Sequence, residues 1–195
     1  MADPAQRQAT YEDLLQVTPE LVAEILGGHL VTHPRPGPKH AVAGSALGGV
    51  LFPPFHGGHG GPGGWRILDE PELHLGTQVL VPDIAGWRRE RLPRLPETAW
   101  LELAPDWICE VLSPGTARFD RVEKLPAYAE AGVAHAWLID PGLRTLEAFV
   151  LHEGRWLLLG TRAEDDPVSL PPFDAVTFEL GSLWADGPDR PARSG

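Results

Sequence analysis

The sequence is poor in cysteine, in lysine and in long apolar runs. Its 195 residues include one cysteine, Cys109, and two lysines, Lys39 and Lys124. A single cysteine excludes an internal disulfide and a multi-cysteine zinc site, and it is typical of a reducing compartment. No apolar run reaches the roughly 18 residues of a membrane-spanning helix. Residues 1–7 contain no apolar segment typical of a signal peptide, so we expect a cytoplasmic protein without membrane association.

Positive charge is also in deficit, since 16 Lys and Arg face 27 Asp and Glu and the formal net charge is −11. This balance argues against a general nucleic-acid binder, because phosphate contacts require clustered Lys and Arg. It remains compatible with an enzyme that has a local basic patch or a bound metal. The length predicts one compact domain over residues 1–195. We expect an ordered part over about residues 10–185 and a flexible tail over residues 187–195.

Strand-like and helix-like segments alternate along the chain, which predicts an α/β protein. Residues 21–26 and 30–33 flank Gly27-Gly28 and predict an N-terminal hairpin, because glycine permits the positive φ of a tight turn. Pro38 is expected to open a helix that runs to Pro53. Residues 79–87 predict one strand, in which Pro82 indicates a bulge or an edge position. Further strands are predicted at residues 65–68, 72–75, 107–112, 135–140, 146–150 and 156–159.

Two carboxylates stand in apolar strands, Asp83 in the segment 79–87 and Glu110 in the segment 107–112. Burying an ionised carboxylate costs several kcal/mol unless a cation or hydrogen bonds compensate. Because side chains alternate along a strand, a Glu110 that faces a cleft places Cys109 and Val111 in the core. Paired carboxylates of neighbouring strands suit Mg²⁺, which prefers oxygen ligands. Structural alternatives remain open: Asp83 as a turn cap, and Glu110 in a pair with an arginine of the following segment.

The segment 120–131 has helical spacing and carries one of the two lysines. The spacing puts Arg121, Lys124 and Tyr128 on one face. The opposite face carries Val122, Leu125 and Ala129. A lysine beside two carboxylates and a metal can place a water or stabilise charge on a phosphate. Taken alone, however, a lysine such as Lys124 is most often a solvated helix residue.

One basic cluster follows the strand that contains Asp83. It consists of Arg88, Arg89, Arg91 and Arg94. Its position makes a contact with a phosphate backbone possible. An exposed turn explains the same residues equally well, so the cluster by itself assigns no function.

Several motifs occur in a fixed order along the chain: Val81-Pro82-Asp83-Ile84, then the segments 107–114 and 120–128, then Gly132-Val133, then the segment 136–141. This ordered set resembles the Uma-two family, bacterial proteins catalogued as restriction endonucleases and as a domain of unknown function. Through it, the chain resembles the PD-(D/E)xK nuclease superfamily. The resemblance covers about residues 10–185.

The resemblance implies a restriction-endonuclease-like core, with a mixed central sheet flanked by helices. It implies that Asp83, Glu110 and the backbone carbonyl of Val111 hold Mg²⁺ or Mn²⁺. The wider superfamily has a lysine two residues after the second carboxylate, where this chain has Leu112. In the family that lysine lies on the following helix, which here makes it Lys124.

Further expectations come from the same resemblance. Glu24, in the first hairpin, would hold a second metal or a metal-bound water. His40, at the start of the next helix, would contact phosphate or hydrogen-bond a ligand carboxylate. Helical spacing, rather than the resemblance, adds Arg121 and Tyr128 as supporting candidates on the face that carries Lys124.

The implied activity is metal-dependent hydrolysis of DNA phosphodiester bonds by a homodimeric endonuclease. Two alternatives stay open. One is a catalytically silent module that binds nucleic acid or protein on a nuclease fold. The other is a metal-dependent phosphodiesterase acting on RNA or nucleotides. A Lys124 side chain in bulk solvent, far from both carboxylates, would contradict every catalytic interpretation.

Overall fold

The computed structural model of the protein describes residues 7–185 and residue 187, so the predicted flexible tail lies, except for Gly187, outside the described residues. The helices are α1 (Tyr11–Leu15), α2 (Pro38–Leu51), α3 (Ala117–Phe119) and α4 (Leu125–Glu130), with π-helical turns at Phe52–His56 and Asp120–Lys124 and a 3₁₀ turn at Leu180–Leu183. The strands are β1 (Leu21–Leu26), β2 (His29–Pro34), β3 (Trp65–Asp69), β4 (Glu72–Leu75), β5 (Gln78–Leu80), β6 (Ile84–Arg88), β7 (Trp100–Leu101), β8 (Trp107–Val111), β9 (His135–Asp140), β10 (Thr145–His152), β11 (Arg155–Ala163), β12 (Pro167–Val168) and β13 (Phe178–Glu179). Across these residues, no helix has both the length and the apolar character needed to span a membrane.

The N-terminal hairpin begins a mixed five-stranded sheet of order β2-β1-β5-β4-β7. Gly27 and Gly28 form the hairpin turn with φ of 58° and 79°, the conformation that favours glycine. The strands β4 and β7 are parallel, whereas the other pairs of this sheet are antiparallel. Tyr11 of α1 donates a hydrogen bond to Glu72 of β4 at 2.9 Å. This bond ties the first helix to the sheet.

A second mixed sheet has the order β11-β10-β9-β8-β6-β3, with β8 and β9 parallel. Its central strand β8 is buried along its whole length. Cys109 and Val111 of β8 belong to the core cluster that contains α2 residues, whereas Ile108 belongs to the cluster that contains α4 residues. Glu110, which alternates with Cys109 and Val111, therefore points to the side of α4, as the strand periodicity predicted.

The predicted strand 79–87 is divided into β5 of the first sheet and β6 of the second, which corrects the single strand expected. Pro82 lies in the break and has no N–H to donate to a strand ladder. The division places Asp83 where the chain crosses between the sheets. The residues expected in one central sheet thus form two mixed sheets, while the α/β class and the N-terminal hairpin are confirmed.

The predicted helix 120–131 contains a π-helical turn, in which the N–H of Leu125 bonds to the carbonyl of Asp120. The wider turn precedes Pro126, whose ring would clash with a carbonyl in a regular α-helix. The additional residue also rotates the helix. Val122 is consequently 50% exposed, although the regular spacing had assigned it to a face shared with Leu125.

Candidate functional site

A cavity of about 500 Å³ lies between α1, the β1–β2 hairpin, the start of α2 and the π-helical turn Asp120–Lys124. Three of the sequence-predicted residues lie in it almost fully buried. Glu24 and Glu110 are each 2% exposed, and Lys124 is 3% exposed. These residues come from β1, β8 and the π turn, so the tertiary fold brings together charges that are far apart in sequence.

The ammonium group of Lys124 bridges the two buried carboxylates. Its Nζ lies 3.0 Å from Oε1 of Glu24 and 2.9 Å from Oε1 of Glu110. It also donates a hydrogen bond to the carbonyl of Val81 at 3.0 Å. A lysine ammonium has three donors, and these three acceptors match that number. Lys124 therefore compensates two buried negative charges rather than facing solvent.

The electrostatics of the cluster are dominated by burial. Burial raises the pKa of Glu110 well above its usual range, and the charge of Lys124 opposes this rise. Burial by itself would lower the pKa of Lys124, but Glu110 and Glu24 raise it further, so the net direction is upward. The lysine is consequently protonated at neutral pH, and its charge favours ionised carboxylates beside it.

Tyr128 of α4 completes the surroundings of Glu110. Its hydroxyl donates a hydrogen bond to Oε1 of Glu110 at 2.7 Å. Burial, followed by the charge of Glu110, raises the pKa of Tyr128 well above its usual range, so the hydroxyl keeps its proton. Two donors, Tyr128 and Lys124, thus converge on the same oxygen of Glu110.

Asp83 is held by two groups at the edge of the cavity. Its Oδ2 accepts a hydrogen bond from the N–H of Val111 at 2.6 Å, and its Oδ1 lies 3.2 Å from Nε2 of His40. Burial lowers the pKa of His40, but the hydrogen bond and charge of Asp83 outweigh it and raise the pKa overall. His40 therefore contacts one of the proposed ligand carboxylates. The structure brings the Val111 peptide to Asp83, and ligation by the Val111 carbonyl stays a prediction.

The segment between β5 and β6 is anchored to the same charges. The N–H of Val81 donates to Oε1 of Glu24 at 2.8 Å, while its carbonyl accepts from Lys124. Asp83 follows two residues later. The buried charges thus fix the chain segment that presents Asp83.

Asp120 is a cavity residue that the sequence analysis did not single out. It is 5% exposed and lines the same space. Burial raises its carboxyl pKa to about 6, and Lys124 acts in the opposite direction. Asp120 precedes Lys124 by four residues on a helical segment, a spacing that brings side chains together and was available in the sequence.

Arg121 is not brought into the cavity. Its guanidinium pairs with Glu147 of β10 at 2.7 Å, and its side chain is 39% exposed. The π-helical turn separates it from Lys124 and Tyr128, so the common face predicted from regular α-helical spacing does not form.

Three of the four arginines in the basic cluster at the end of β6 contact the protein itself. The guanidinium of Arg88 lies 4.1 Å from the ring centre of Trp65. Arg89 donates to the carbonyl of His56 at 2.7 Å, and Arg91 pairs with Asp106 at 2.7 Å. These contacts fasten loops to the second sheet, which favours the structural explanation of the cluster.

The donor set of the cavity fits a hard divalent cation. Asp83, Glu110 and Glu24 supply carboxylate oxygens along one cavity, and Mg²⁺ usually takes one or two protein carboxylates and several waters. Among residues 7–185 and 187, however, no three or more His, Cys, Asp or Glu side chains are already arranged as a metal site. Asp83 and Glu110 both line the cavity, and a cation bound by them would keep several water ligands.

Comparisons with known proteins identify a family and a fold. The profile of the Uma2 family, described as "Putative restriction endonuclease", matches residues 9–181. A crystal structure from Anabaena variabilis ATCC 29413, titled as that of a putative nuclease belonging to DUF820, is similar with a TM-score of 0.66 and 23% sequence identity. The similarity covers 90% of this chain and 97% of that chain. No curated protein matches the sequence.

Proposed function

Because this chain belongs to the Uma2 family, we propose that it is a metal-dependent endonuclease that hydrolyses DNA phosphodiester bonds. The site lies on a restriction-endonuclease-like core, in which β8 and the crossing before β6 present the two carboxylates. Glu110 and Asp83 hold Mg²⁺ or Mn²⁺, with the Val111 carbonyl as a further ligand and Glu24 as a ligand of a second metal or of a metal-bound water.

One observation carries this proposal. Lys124 is buried between Glu24 and Glu110, with contacts of 3.0 and 2.9 Å, in the cavity that Asp83 also lines. Replacing such a network with apolar residues is often neutral or stabilising, so stability alone is a weak reason for its presence. Buried charges arranged around a cavity are characteristic of functional sites.

The chain's own groups have separate tasks in this mechanism. Lys124 and Tyr128 both engage Oε1 of Glu110 and so hold the carboxyl group that, with Asp83, would bind the cation. His40 and the N–H of Val111 orient Asp83. Lys124 retains its protons, and its charge opposes the rise that burial causes in the pKa of Glu110. A bound divalent cation supplies a Lewis acid for the phosphate and lowers the pKa of a coordinated water.

The experiment is a titration of Mg²⁺ and Mn²⁺ into wild type, Glu110→Gln and Glu130→Gln. Glu130 is an exposed residue at the end of α4 and serves as the matched control. Calorimetry measures metal binding, and gels measure cleavage of plasmid DNA and of single-stranded DNA. We expect wild type and Glu130→Gln to bind metal and cleave, and Glu110→Gln to lose both properties.

The possible outcomes separate the parts of the proposal. Cleavage that survives in Glu110→Gln would contradict the assignment of the site. Metal binding without cleavage of either DNA would contradict the DNA endonuclease activity while retaining the metal site. Absence of metal binding by wild type would contradict the metal-dependent mechanism itself.

A further inference from the structure

The cavity extends beyond the charged residues toward an apolar wall. Leu14, Leu15 and Val17 from α1 and the residues after it line this part, together with Pro19 and Val22. Leu15 is 60% exposed, an unusual place for a large apolar side chain in a helix of five residues. One cavity is thus lined by both carboxylates and apolar side chains, and its volume of about 500 Å³ is typical of small-ligand pockets.

His33 lies on the wall of the same cavity, on β2. It pairs with Val22 across the hairpin, and its ring centre is 4.7 Å from that of Phe119. Its Nε2 is buried and has no hydrogen-bond partner within the described part of the chain. Burial lowers the pKa of His33, so the ring is neutral at pH 7 and can exchange one hydrogen bond through Nε2. Buried polar atoms are normally partnered, which makes this nitrogen a candidate ligand contact.

The surroundings of the site are unsuited to an intact duplex. Glu24, Glu110 and Lys124 are at most 3% exposed, so a phosphate must enter the cavity to approach them. Three of the four arginines of the basic cluster, Arg88, Arg89 and Arg91, contact the protein itself, which reduces the positive charge available to the backbone of a duplex. Enzymes that modify a base inside a pocket act on single strands or extrude the nucleotide from the duplex, and a phosphodiester that must enter a cavity meets the same steric requirement.

We propose that the cavity receives one unstacked nucleotide of a single-stranded DNA. The phosphate lies beside the carboxylates, the base packs against the wall formed by Leu14 and Leu15, and a polar edge of the base hydrogen-bonds Nε2 of His33. The proposal rests on the proposed function for the position of the phosphate. It adds a substrate class and a base-contacting residue.

The test measures binding rather than cleavage. Fluorescence anisotropy compares a labelled oligothymidine strand with a duplex of the same length, in buffer with Ca²⁺, and a gel checks that the strand stays intact. His33→Phe removes the nitrogen and keeps a ring beside Phe119. His33→Gln restores a hydrogen-bonding group. His29→Phe changes an exposed histidine of the same strand and is the matched control.

We expect the single strand to bind wild type at least about tenfold more tightly than the duplex. His33→Phe should weaken strand binding by about tenfold, the effect of one lost hydrogen bond. His33→Gln should recover most of this loss, and His29→Phe should bind as wild type does. Leu15→Ser changes an exposed position of the apolar wall and should also weaken strand binding. It tests the wall separately from any folding defect in the His33 variants.

Several results would overturn the inference: equal or tighter binding of the duplex, no binding of the strand to wild type, or unchanged binding in both His33→Phe and Leu15→Ser. These results are independent of the metal-dependent endonuclease proposal, which is tested by the loss of cleavage in Glu110→Gln. Strand binding that depends on His33, in a protein that does not cleave, would refute the nuclease activity and support the cavity assignment.

Discussion

Charged residues of opposite sign flank the two ends of β6, and they differ in how deeply their clusters are buried. At its start, Asp83 borders a cavity in which Glu24, Glu110 and Lys124 are almost fully buried. At its end, Arg91 pairs with Asp106 while its side chain remains 41% exposed. In the sequence, the carboxylate at the start stands in an apolar segment, and the arginine at the end belongs to a basic cluster. The two ends differ in how far their charged side chains are exposed to solvent.

This difference determines what each cluster can contribute. An exposed ion pair is screened by solvent and contributes about 0–1 kcal/mol to the free energy of unfolding. Buried charges depend on each other, because removing one leaves its partners without compensation. A site that is costly to assemble and faces a cavity points to function, whereas the arginine end is explained by loop anchoring.

The strongest test of this comparison removes one positively charged side chain at each end of β6. Lys124→Met should lower the free energy of unfolding by about 3–5 kcal/mol, because Glu24 and Glu110 stay buried without their cation. Arg91→Met should lower it by less than about 1 kcal/mol, since its pair is partly exposed. Urea unfolding monitored by circular dichroism measures both.

Equal losses in the two variants would contradict the contrast between the ends of β6. A loss below about 1 kcal/mol in Lys124→Met would show that the carboxylates become protonated or hydrated at little cost. Cleavage measured on the folded fraction of each variant should disappear in Lys124→Met and persist in Arg91→Met.

The two tyrosines of the chain provide a smaller and matched comparison. Tyr128→Phe removes the 2.7 Å hydrogen bond to the fully buried Glu110, and it should lower the free energy of unfolding by about 1.5–3 kcal/mol. Tyr11→Phe removes a 2.9 Å bond to Glu72, whose side chain is 26% exposed and also contacts His74. Its loss should be about 1 kcal/mol or less. The reverse order in urea unfolding would refute the role assigned to burial.

The smallest expected effect is a pH dependence of stability that arises from Asp120 in the cavity. Burial raises the pKa of Asp120 from 3.8 to about 6, while Lys124 lowers it and Asp83 and Glu24 raise it further. The folded state therefore binds a proton more readily than the unfolded state, and stability from this group increases as the pH falls through 6. Between pH 7 and pH 5, wild type should gain about 1 kcal/mol relative to Asp120→Asn.

Unfolding midpoints of both proteins at the two pH values provide the measurement. An identical pH dependence in wild type and Asp120→Asn would show that Asp120 has an ordinary pKa and remains hydrated. If wild type instead lost stability relative to Asp120→Asn between pH 7 and pH 5, the charge of Lys124 would outweigh burial at Asp120.

The sequence by itself determined the elements whose causes are local. Paired glycines predict the turn at Gly27-Gly28, and Pro38 predicts the start of α2. Strand alternation predicts that Glu110 points away from the core face occupied by Cys109 and Val111. These predictions hold because backbone dihedrals and side-chain periodicity act within a few residues.

Only the tertiary structure decided which charges meet. It divided the segment 79–87 at Pro82 and placed Lys124 between Glu24 and Glu110. It also paired Arg121 with Glu147 outside the cavity and Arg91 with Asp106. These contacts join residues that are distant along the chain, and burial sets their electrostatics. Neither the distance between two carboxylates nor the water around them has a local signature in the sequence, because both arise only when the sheets and helices pack.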